Sequence, residues 1–262
     1  MSNTTSNTIP NFSTDLTGDV AFVTGATSGL GERFARVLAK CGAKVVITGR
    51  RTERLETLAQ QIRAEGGICE PIRLDMTDRD NIKSAVAEAE QKLGLINILV
   101  NNAGIPDAQR ATKMSDELID NVFGTNMVGP YVLCCEIARR LMKEKKPGRI
   151  VNISSIAAFN ISTQSSASLY AITKAGVVRM TEALAVEWAP FHINVNAIAP
   201  GAFRTEMTQG KIDRVGDFSD VFPRKRMCEP EQLDSTLLFL VSPSSECVTG
   251  TYIKVDDGQS SR

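Results

Sequence analysis

The sequence predicts an α/β fold with one doubly wound domain, in which helices cover both faces of a seven-stranded, mostly parallel sheet. The first observation is that short apolar runs alternate with longer segments of helical period from about residue 16 onward. Strands that are apolar on both faces are typical of parallel sheets covered on both sides. The second observation is that no linker rich in proline, glycine or serine interrupts the alternation. Residues 16–262 are therefore expected to form a single domain.

The individual elements follow from the apolar pattern. Strands are expected at residues 20–25, 43–49, 68–75, 96–104, 148–155, 192–201 and 251–258. Helices are expected at residues 31–42, 51–67, 79–94, 116–145, 168–189 and 230–241. Gly129 and Pro130 are expected to bend the fourth helix, because proline removes a backbone donor and clashes with the preceding turn. Residues 203–226 break the alternation and are expected to form a loop at the substrate site.

The composition excludes several classes of function. The 30 basic and 30 acidic residues cancel, so nothing in the charge favours a nucleic acid or a membrane as partner. The 6 cysteines show no CxxC spacing and the chain has 1 histidine, so no metal site is expected. Unpaired thiols are typical of the reducing cytoplasm, which is the expected location. Residues 1–15 are polar, do not resemble a signal peptide and are expected to form a mobile tail.

A glycine-rich turn lies between the first strand and the first helix. The segment TGATSGLG places Gly25, Gly29 and Gly31 at this point. In Rossmann-type folds such glycines permit a tight turn, let the backbone approach a pyrophosphate and allow close helix packing. The helix N-terminus then presents free N–H groups to the anion. The segment predicts a dinucleotide site, and a glycine-rich turn without a ligand is the alternative.

The end of the second strand indicates which dinucleotide is bound. Sites for NAD place an acidic residue there for the ribose 2′-hydroxyl. This chain has Gly49, Arg50 and Arg51 instead. Two cations at a helix N-terminus interact unfavourably with the helix dipole, at a cost of about 0.3–1 kcal/mol each. Charge-assisted hydrogen bonds to a bound 2′-phosphate would reverse that cost. The arginines predict NADP(H), with a solvated arginine pair as the alternative.

Further motifs give the chain a family resemblance. Tyr170-x-x-x-Lys174 lies in the helix expected at residues 168–189, and NNAG occupies residues 101–104. Together with the glycine-rich turn, these motifs resemble the short-chain dehydrogenase/reductase family from about Leu16 to the C-terminus. The resemblance implies an NADP-preferring oxidoreductase of the ketoreductase type, acting on CH–OH and C=O groups.

The resemblance also implies a role for each site residue. Tyr170 would be the general acid that protonates a carbonyl oxygen, and Lys174 would hold the nicotinamide ribose and lower the tyrosine pKa. Ser155 would hydrogen-bond the substrate oxygen, and Asn126 would bind a water that relays protons to Lys174. The residues expected along the cofactor are Gly25, Thr27, Ser28, Gly29, Leu30, Gly31, Arg50, Arg51, Asp75, Met76, Asn102, Ala103, Gly104, Tyr170, Lys174, Pro200, Gly201, Phe203 and Thr205.

Elementary electrostatics supports the tyrosine assignment independently. Residues four apart on a helix share a face, so Lys174 is expected beside Tyr170. A charge about 4 Å away contributes roughly 4 kcal/mol at an effective dielectric of 20, enough to lower the pKa of a phenol towards neutrality. Ser154 is the alternative to Ser155 as the active hydroxyl. The stretch from Ser155 to Tyr170 is a couple of residues longer than is common in the family, which would widen the substrate mouth.

The expected substrate is a small molecule, a free ketone or secondary alcohol of moderate to large apolar size. Four phenylalanines could line an apolar pocket around the expected loop, or could equally pack within it: Phe159, Phe203, Phe218 and Phe222.

Two other functions remain open. One is a β-ketoacyl-[acyl-carrier-protein] reductase, which is less favoured because Val132 and Phe191 stand where basic docking residues are expected. The other is a non-catalytic role, as an NADP-binding regulator or as a structural subunit of a larger synthase, and the intact set of four catalytic residues argues against both. The resemblance also implies a homotetramer, with the helix expected at residues 116–145 and the one at 168–189 in one interface.

Overall fold

Seven parallel strands form the sheet. The computed structural model describes residues 12–107, 109–160 and 167–260. The strands are β1 (Val20–Thr24), β2 (Lys44–Gly49), β3 (Ile68–Arg73), β4 (Ile98–Asn101), β5 (Gly148–Ile153), β6 (Ile193–Pro200) and β7 (Tyr252–Val255). Their order across the sheet is β3-β2-β1-β4-β5-β6-β7, and every neighbouring pair is parallel. The predicted α/β fold is confirmed.

Helices connect these strands. They are α1 (Gly29–Lys40), α2 (Thr52–Ala64), α3 (Arg79–Leu93), α4 (Asp116–Phe123), α5 (Gly129–Glu144), α6 (Ser168–Trp188), α7 (Glu206–Val215) and α8 (Asp234–Val241). The helix predicted at residues 230–241 begins with a 3₁₀ turn, Pro230–Leu233, before α8.

The sheet separates two apolar cores. Ala21 and Val23 of β1 pack in the core that α1, α2 and α8 cover. Phe22, between them in sequence, packs in the core that α3, α5 and α6 cover. Alternate side chains of a strand point to opposite faces, and all three are fully buried, as a sheet with helices on both sides requires.

The helix predicted at residues 116–145 contains a π-helical turn. Gly124–Val128 forms this turn between α4 and α5, directly before the predicted bend at Gly129 and Pro130. A Cβ on Gly129 would lie 2.3 Å from the carbonyl oxygen of Met76, so glycine allows the close approach of the segment after β3. Such turns are frequent at functional sites, and this one contains Asn126.

Residues 203–226 are not the irregular loop that the sequence predicts. Glu206–Val215 forms helix α7, and the Thr205 side chain caps it by accepting a hydrogen bond from the N–H of Thr208 at 3.3 Å. Gly210 lowers the helix propensity of this segment, which explains why its periodicity was hard to detect. Phe203 forms a β-bridge with Cys228, so the two ends of the segment lie next to each other.

The chain ends are described only in part. Residues 1–11 of the predicted tail lie outside the described residues. The N–H of Ser13 donates to Ser244 Oγ at 3.1 Å, and its carbonyl accepts from Ser242 Oγ at 2.6 Å. No described helix is long and apolar enough to cross a membrane.

All six cysteines are free thiols. Cys69, Cys134 and Cys228 are buried, whereas Cys247 is exposed. Among the described residues no group of three or more histidine, cysteine or acidic side chains could hold a metal ion.

Candidate active site

A crevice opens at the carboxyl ends of the strands. The strand order reverses between β1 and β4, which is where doubly wound sheets bind their ligands. The cavity there has a volume of about 450 Å³. Every residue expected along the cofactor lines it except Gly31. Of the four expected catalytic residues, Ser155, Tyr170 and Lys174 line it and Asn126 does not.

The glycine-rich turn has no room for side chains. Gly25 has a φ of +65°, and a Cβ on it would lie 2.8 Å from Ala103 Cα. A Cβ on Gly31 would lie 2.3 Å from the carbonyl oxygen of Gly25 and 2.5 Å from Asn102 Nδ2. Glycine is therefore required both for the turn and for the close packing of α1.

A hydrogen-bond network holds the NNAG segment against this turn. The Thr24 hydroxyl accepts from the backbone N–H groups of Asn102 at 3.0 Å and Ala103 at 2.9 Å. The Asn102 amide donates to the carbonyl oxygens of Thr24 at 3.0 Å and Gly25 at 3.2 Å. The ends of β1 and β4 are thereby fixed at the point where the strand order reverses.

The turn fits the pyrophosphate of a nicotinamide dinucleotide. Ser28, at the N-cap of α1, makes no capping hydrogen bond with its side chain, so the first N–H groups of the helix remain for a ligand. A helix N-terminus of this kind, behind a turn without side chains, suits an anionic group. Gly25, Gly29 and the N–H groups of α1 would hold it.

The two arginines after β2 differ in their contacts. Arg51 donates to the hydroxyls of Thr27 at 2.7 Å and Ser28 at 3.0 Å. Its guanidinium also forms an ion pair with Glu206 at 2.9 Å. Within the described part of the chain, Arg50 has no hydrogen bond or ion pair. The expected arginine pair therefore divides into one bound and one free guanidinium.

Asp75 and Met76 line the crevice near Arg50. Asp75 Oδ1 accepts hydrogen bonds from the Thr77 N–H at 3.0 Å and hydroxyl at 2.8 Å. Burial raises the pKa of Asp75, but the hydrogen bonds from Thr77 and the charges of Arg50 and Arg73 outweigh this and hold it below its ordinary value. Asp75 therefore remains a hydrogen-bond acceptor at neutral pH.

Tyr170 and Lys174 lie side by side on α6. The Lys174 ammonium is 5.5 Å from the centroid of the Tyr170 ring and donates to the carbonyl oxygen of Ile153 at 2.8 Å. Lys174 is 3% exposed, and burial lowers its pKa to about 8. A buried lysine with such a pKa is mostly charged at pH 7 and can lose its proton within a working pH range.

The predicted lowering of the Tyr170 pKa is wrong for this structure. Burial and, to a lesser extent, the charge of Asp107 raise the pKa of the Tyr170 phenol, and a hydrogen bond with Ser155 lowers it. The resulting pKa is above that of a free phenol. The Tyr170 ring keeps some accessible surface at the crevice wall, but the dense protein around it still disfavours a phenolate. Lys174 lies over the face of the ring and is tied to Ile153, so its charge does not offset burial.

The geometry distinguishes the two serines after β5. The Ser154 hydroxyl is buried and donates to the backbone carbonyl of Lys174 at 2.8 Å. The Ser155 side chain instead forms the hydrogen bond with Tyr170 and accepts from the Ala157 N–H at 3.2 Å. Ser155 is therefore the serine placed beside the tyrosine hydroxyl.

Asn126 lies behind the crevice wall in the π-helical turn. Its Oδ1 accepts from the Ile105 N–H at 2.8 Å, and its Nδ2 donates to the Ile105 carbonyl at 3.0 Å and to Thr173 Oγ1 at 3.2 Å. A Cβ on Gly104 would lie 3.4 Å from Lys174 Nζ and 3.5 Å from Asn126 Oδ1. Asn126 thus holds the segment after β4 against α6, close to Lys174.

The four phenylalanines do not gather around one pocket. Only Phe203 lines the crevice, where it is 2% exposed. Phe159 stacks on Tyr252 with ring centroids 4.9 Å apart, and Phe218 meets Phe222 edge-on at 5.8 Å. Residues 161–166, which include the extra length before Tyr170, lie outside the described residues.

Three residues at the site are not identified by the sequence motifs. Glu206 and Asp107 lie outside every motif, and Thr24 lies within the TGATSGLG segment but has no expected role there. Asp107 is 4% exposed, and its Oδ2 accepts a hydrogen bond from the Leu169 N–H at 2.9 Å, at the start of α6. Its Oδ1 is buried and has no hydrogen-bond partner among the described residues. An acidic residue in a predicted loop is ordinarily exposed, so the sequence carries no signal for this contact.

Comparisons with known proteins address the family of this chain. Residues 19–215 match the family described as short chain dehydrogenase. A 3-oxoacyl-[acyl-carrier-protein] reductase of Thermotoga maritima is 36% identical over 93% of this chain and 98% of its own. An NAD-dependent glycerol dehydrogenase of Listeria innocua is 34% identical over 93% of this chain and 94% of its own. The solved structure of an actinorhodin polyketide ketoreductase variant with NADPH superposes with a TM-score of 0.87 at 31% identity, covering 92% of this chain and 97% of that one.

Proposed function

Because the chain belongs to the short-chain dehydrogenase family, an oxidoreductase family acting on alcohol and carbonyl groups with a nicotinamide cofactor, we propose that it is an NADPH-dependent carbonyl reductase. In the reverse direction it is a secondary-alcohol dehydrogenase. The proposed substrate is a free ketone. The observation that carries the proposal is the placement of Tyr170 beside Ser155 and Lys174, on the wall of the crevice that the glycine-rich turn enters.

In this proposal Tyr170 donates a proton to the carbonyl oxygen. Its raised pKa keeps the phenol protonated at neutral pH, which is the form required for reduction. Ser155 donates a hydrogen bond to the same oxygen and so positions it near the phenol. Lys174, which lines the same crevice, would hold the nicotinamide ribose. When bound, the nicotinamide supplies the hydride.

Two further groups support Tyr170 and Lys174, one from Ile153 on the crevice wall and one from Asn126 behind it. The carbonyl oxygen of Ile153 accepts the hydrogen bond that fixes the ammonium, and Asn126 holds the neighbouring segment through both polar backbone groups of Ile105. The expected water bound by Asn126 remains part of the proposal. It would return protons from solvent to Lys174 after each turnover.

The proposed preference for NADP(H) rests on Arg50. Its guanidinium is exposed at the end of β2 and has no hydrogen bond or ion pair with the described residues, so it is free for a 2′-phosphate. The relatives differ in cofactor, since one is named as NAD-dependent and one structure contains NADPH.

Replacing the free arginine tests this preference. We expect Arg50→Asp to shift the ratio of kcat/KM for NADPH over NADH towards NADH by about tenfold or more, because the change removes an attractive charge and adds a repulsive one. Arg79→Asp makes the same charge change at the exposed start of α3 and is the control. Retention of the NADPH preference by Arg50→Asp would exclude Arg50 as the residue that binds the 2′-phosphate.

The function itself is tested by initial rates of NADPH and NADH oxidation with a set of carbonyl compounds. A β-keto ester, an aryl ketone, a bulky polycyclic ketone and a β-ketoacyl thioester cover the alternatives. We expect turnover of the free ketones with NADPH. Cofactor binding without turnover of any carbonyl would instead support a non-catalytic regulator.

A carrier-bound substrate is the second candidate. The similarity to a 3-oxoacyl-[acyl-carrier-protein] reductase favours it. Val132 on α5 and Phe191 after α6 argue against it, because basic residues at these positions would be needed to dock an acidic carrier protein. Activity confined to the β-ketoacyl thioester would favour this candidate over a free ketone.

We also propose a homotetramer with α5 and α6 in one interface. Tyr131 on α5 is 49% exposed, and Ile172 and Val186 on α6 are 57% and 79% exposed. Exposed apolar side chains on two neighbouring helices are typical of contacts between subunits. A monomer in light scattering would exclude this assembly. The expected cytoplasmic location stays a prediction that cell fractionation tests.

A further inference from the structure

The segment after β6 crosses the mouth of the crevice. In the sheet order, β6 and β2 are separated by β5, β4 and β1, which corresponds to about 19 Å at the usual strand spacing. Yet Glu206, shortly after β6, contacts Arg51, shortly after β2. Residues 201–206 therefore pass over the carboxyl ends of the intervening strands, where the strand order reverses.

The crossing is held by charged hydrogen bonds. Arg51 donates to Glu206 Oε1 at 2.9 Å and to Oε2 at 3.0 Å, which is the two-pronged geometry favoured by guanidinium and carboxylate. Arg54 donates to both oxygens of Glu206 at 3.2 Å. The first residue of α7 is thus bound to two residues of the opposite rim.

The same crossing also reaches the glycine-rich turn. Arg51 donates to the Thr27 and Ser28 hydroxyls while it holds Glu206. Thr205 lies against Gly29, since a Cβ on this glycine would be 3.2 Å from Thr205 Cβ. The bridge therefore closes over the part of the crevice that fits a pyrophosphate.

We propose that Glu206 and Arg51 form a latch that retains the dinucleotide, so that Glu206 sets the rate at which the cofactor leaves. The residues expected at the adenosine end of the cofactor, Arg50 and Asp75, follow β2 and β3. Ser155, expected at the nicotinamide end, follows β5. The latch joins the rims of the crevice between them, and cofactor exchange requires α7 to move away. Arg51 is then a retaining residue, and Arg50 alone is the 2′-phosphate ligand of the proposed function.

The latch responds to salt rather than to pH. Hydrogen bonds from Arg51 and Ser28 lower the pKa of Glu206 to about 2, so its carboxylate stays charged at any working pH. The charged groups that face it are Arg51 and Arg54. The Arg51 and Glu206 side chains are 44% and 49% exposed, so dissolved ions can screen the pair.

Cofactor release measures the latch directly, without substrate. NADPH or NADH is bound to the protein and displaced by excess oxidised cofactor in a stopped-flow instrument, with the fluorescence of the reduced nicotinamide as signal. We expect Glu206→Gln to release both cofactors about threefold to tenfold faster, the range for one or two exposed charged pairs. We also expect added salt to speed release from the wild type more than from this variant.

Asp213→Asn is the matched control. It removes the same charge from the same helix, and Asp213 accepts a hydrogen bond only from Gln209 among the contacts described, at 2.8 Å. Its release rates should equal those of the wild type. The release rate of NADH tests the latch independently of the proposed cofactor preference, because NADH has no 2′-phosphate for Arg50 to bind.

Two results would overturn the latch. One is release of both cofactors from Glu206→Gln at the wild-type rate. The other is slower release of NADPH with NADH unchanged, which would mean that Glu206 competes with the 2′-phosphate for Arg51. Absence of any ketone turnover would count against the proposed function and leave these release rates measurable.

Discussion

At one rim of the crevice, Glu206 lies half-exposed between Arg51 and Arg54, whereas at the catalytic wall Lys174 lies buried beside Tyr170. Both Glu206 and Lys174 have lowered pKa values, of about 2 and about 8. For the glutamate, hydrogen-bond donors favour the charged form. For the lysine, burial disfavours it. For these two groups, exposure therefore decides whether hydrogen-bond partners or desolvation sets the pKa.

A second contrast concerns packing. The glycine-rich turn is closely packed, whereas Gly210 on α7 is not, so position 210 can accept a side chain that position 31 cannot. A Cβ on Gly31 would lie 2.3 Å from a carbonyl oxygen, but a Cβ on Gly210 would have no atom of the described side chains or backbone within 4 Å. The following predictions test these contrasts in order of decreasing effect.

The largest effect is expected for Gly31→Ala. The added methyl group must displace the carbonyl of Gly25 or the Asn102 amide, which costs about 3 kcal/mol of unfolding free energy and weakens cofactor binding about a hundredfold. Chemical denaturation and fluorescence titration with NADPH measure the two effects.

Gly210→Ala is the matched control for this substitution. Alanine in an open position of a helix should leave cofactor binding unchanged and stabilise the protein by up to about 1 kcal/mol. Equal effects of the two substitutions would contradict the difference in packing between the turn and α7.

The buried lysine should make stability depend on pH. From its ordinary value of 10.5, the Lys174 pKa is lowered to about 8 by burial, so between these values the unfolded chain binds a proton that the folded chain has lost. Wild-type stability should therefore rise with pH across this range, by about 3 kcal/mol at most. Lys174→Met should lack that rise. The unfolding free energy of the variant, relative to that of the wild type, should therefore be highest at pH 7 and lowest near pH 10.

Chemical denaturation at pH 7, 8.5 and 10 measures this difference. Lys143→Met removes an exposed lysine from α5 and should follow the wild type at every pH. Curves for Lys174→Met that run parallel to those of the wild type would show that burial does not control this lysine.

A smaller effect is expected for Asp107→Asn. The asparagine oxygen can still accept the Leu169 N–H at the start of α6, but the negative charge that raises the Tyr170 pKa is lost. The alkaline rise of kcat/KM for alcohol oxidation should therefore move to lower pH, since the phenolate forms more easily. Asp116→Asn, on α4, is the control for charge removal. An unchanged pH profile in Asp107→Asn would exclude an electrostatic role for Asp107.

Much of the fold was predictable because its determinants are local in sequence. Each strand is a short apolar run, and each glycine of the turn stands beside the strand and helix that it joins, as Gly25 and Gly31 do. Helix α7 escaped detection because Gly210 and polar residues hide its periodicity, and none of its described side chains belongs to either core. The π-helical turn around Asn126 depends on packing against the segment after β3, which the sequence does not display.

The candidate site was predictable as a set of residues but not as a set of interactions. The motifs identified Tyr170, Lys174 and Ser155, and the structure places them together. The direction of the tyrosine pKa was wrong because spacing on a helix does not reveal burial or the hydrogen bond to Ile153. The contact of Glu206 with Arg51 joins residues 155 positions apart, so only the fold brings it about.

The most direct test of the proposed function compares the wild type with Tyr170→Phe. Phenylalanine keeps the ring over which Lys174 lies and removes only the hydroxyl. For an aryl ketone with NADPH, we expect kcat to fall by about 10² to 10⁴, the usual contribution of a general acid, while the fluorescence titration shows a far smaller change in NADPH binding. Wild-type turnover retained in Tyr170→Phe, or no turnover of the ketone by the wild type, would contradict the assignment of Tyr170 as the acid of a carbonyl reductase.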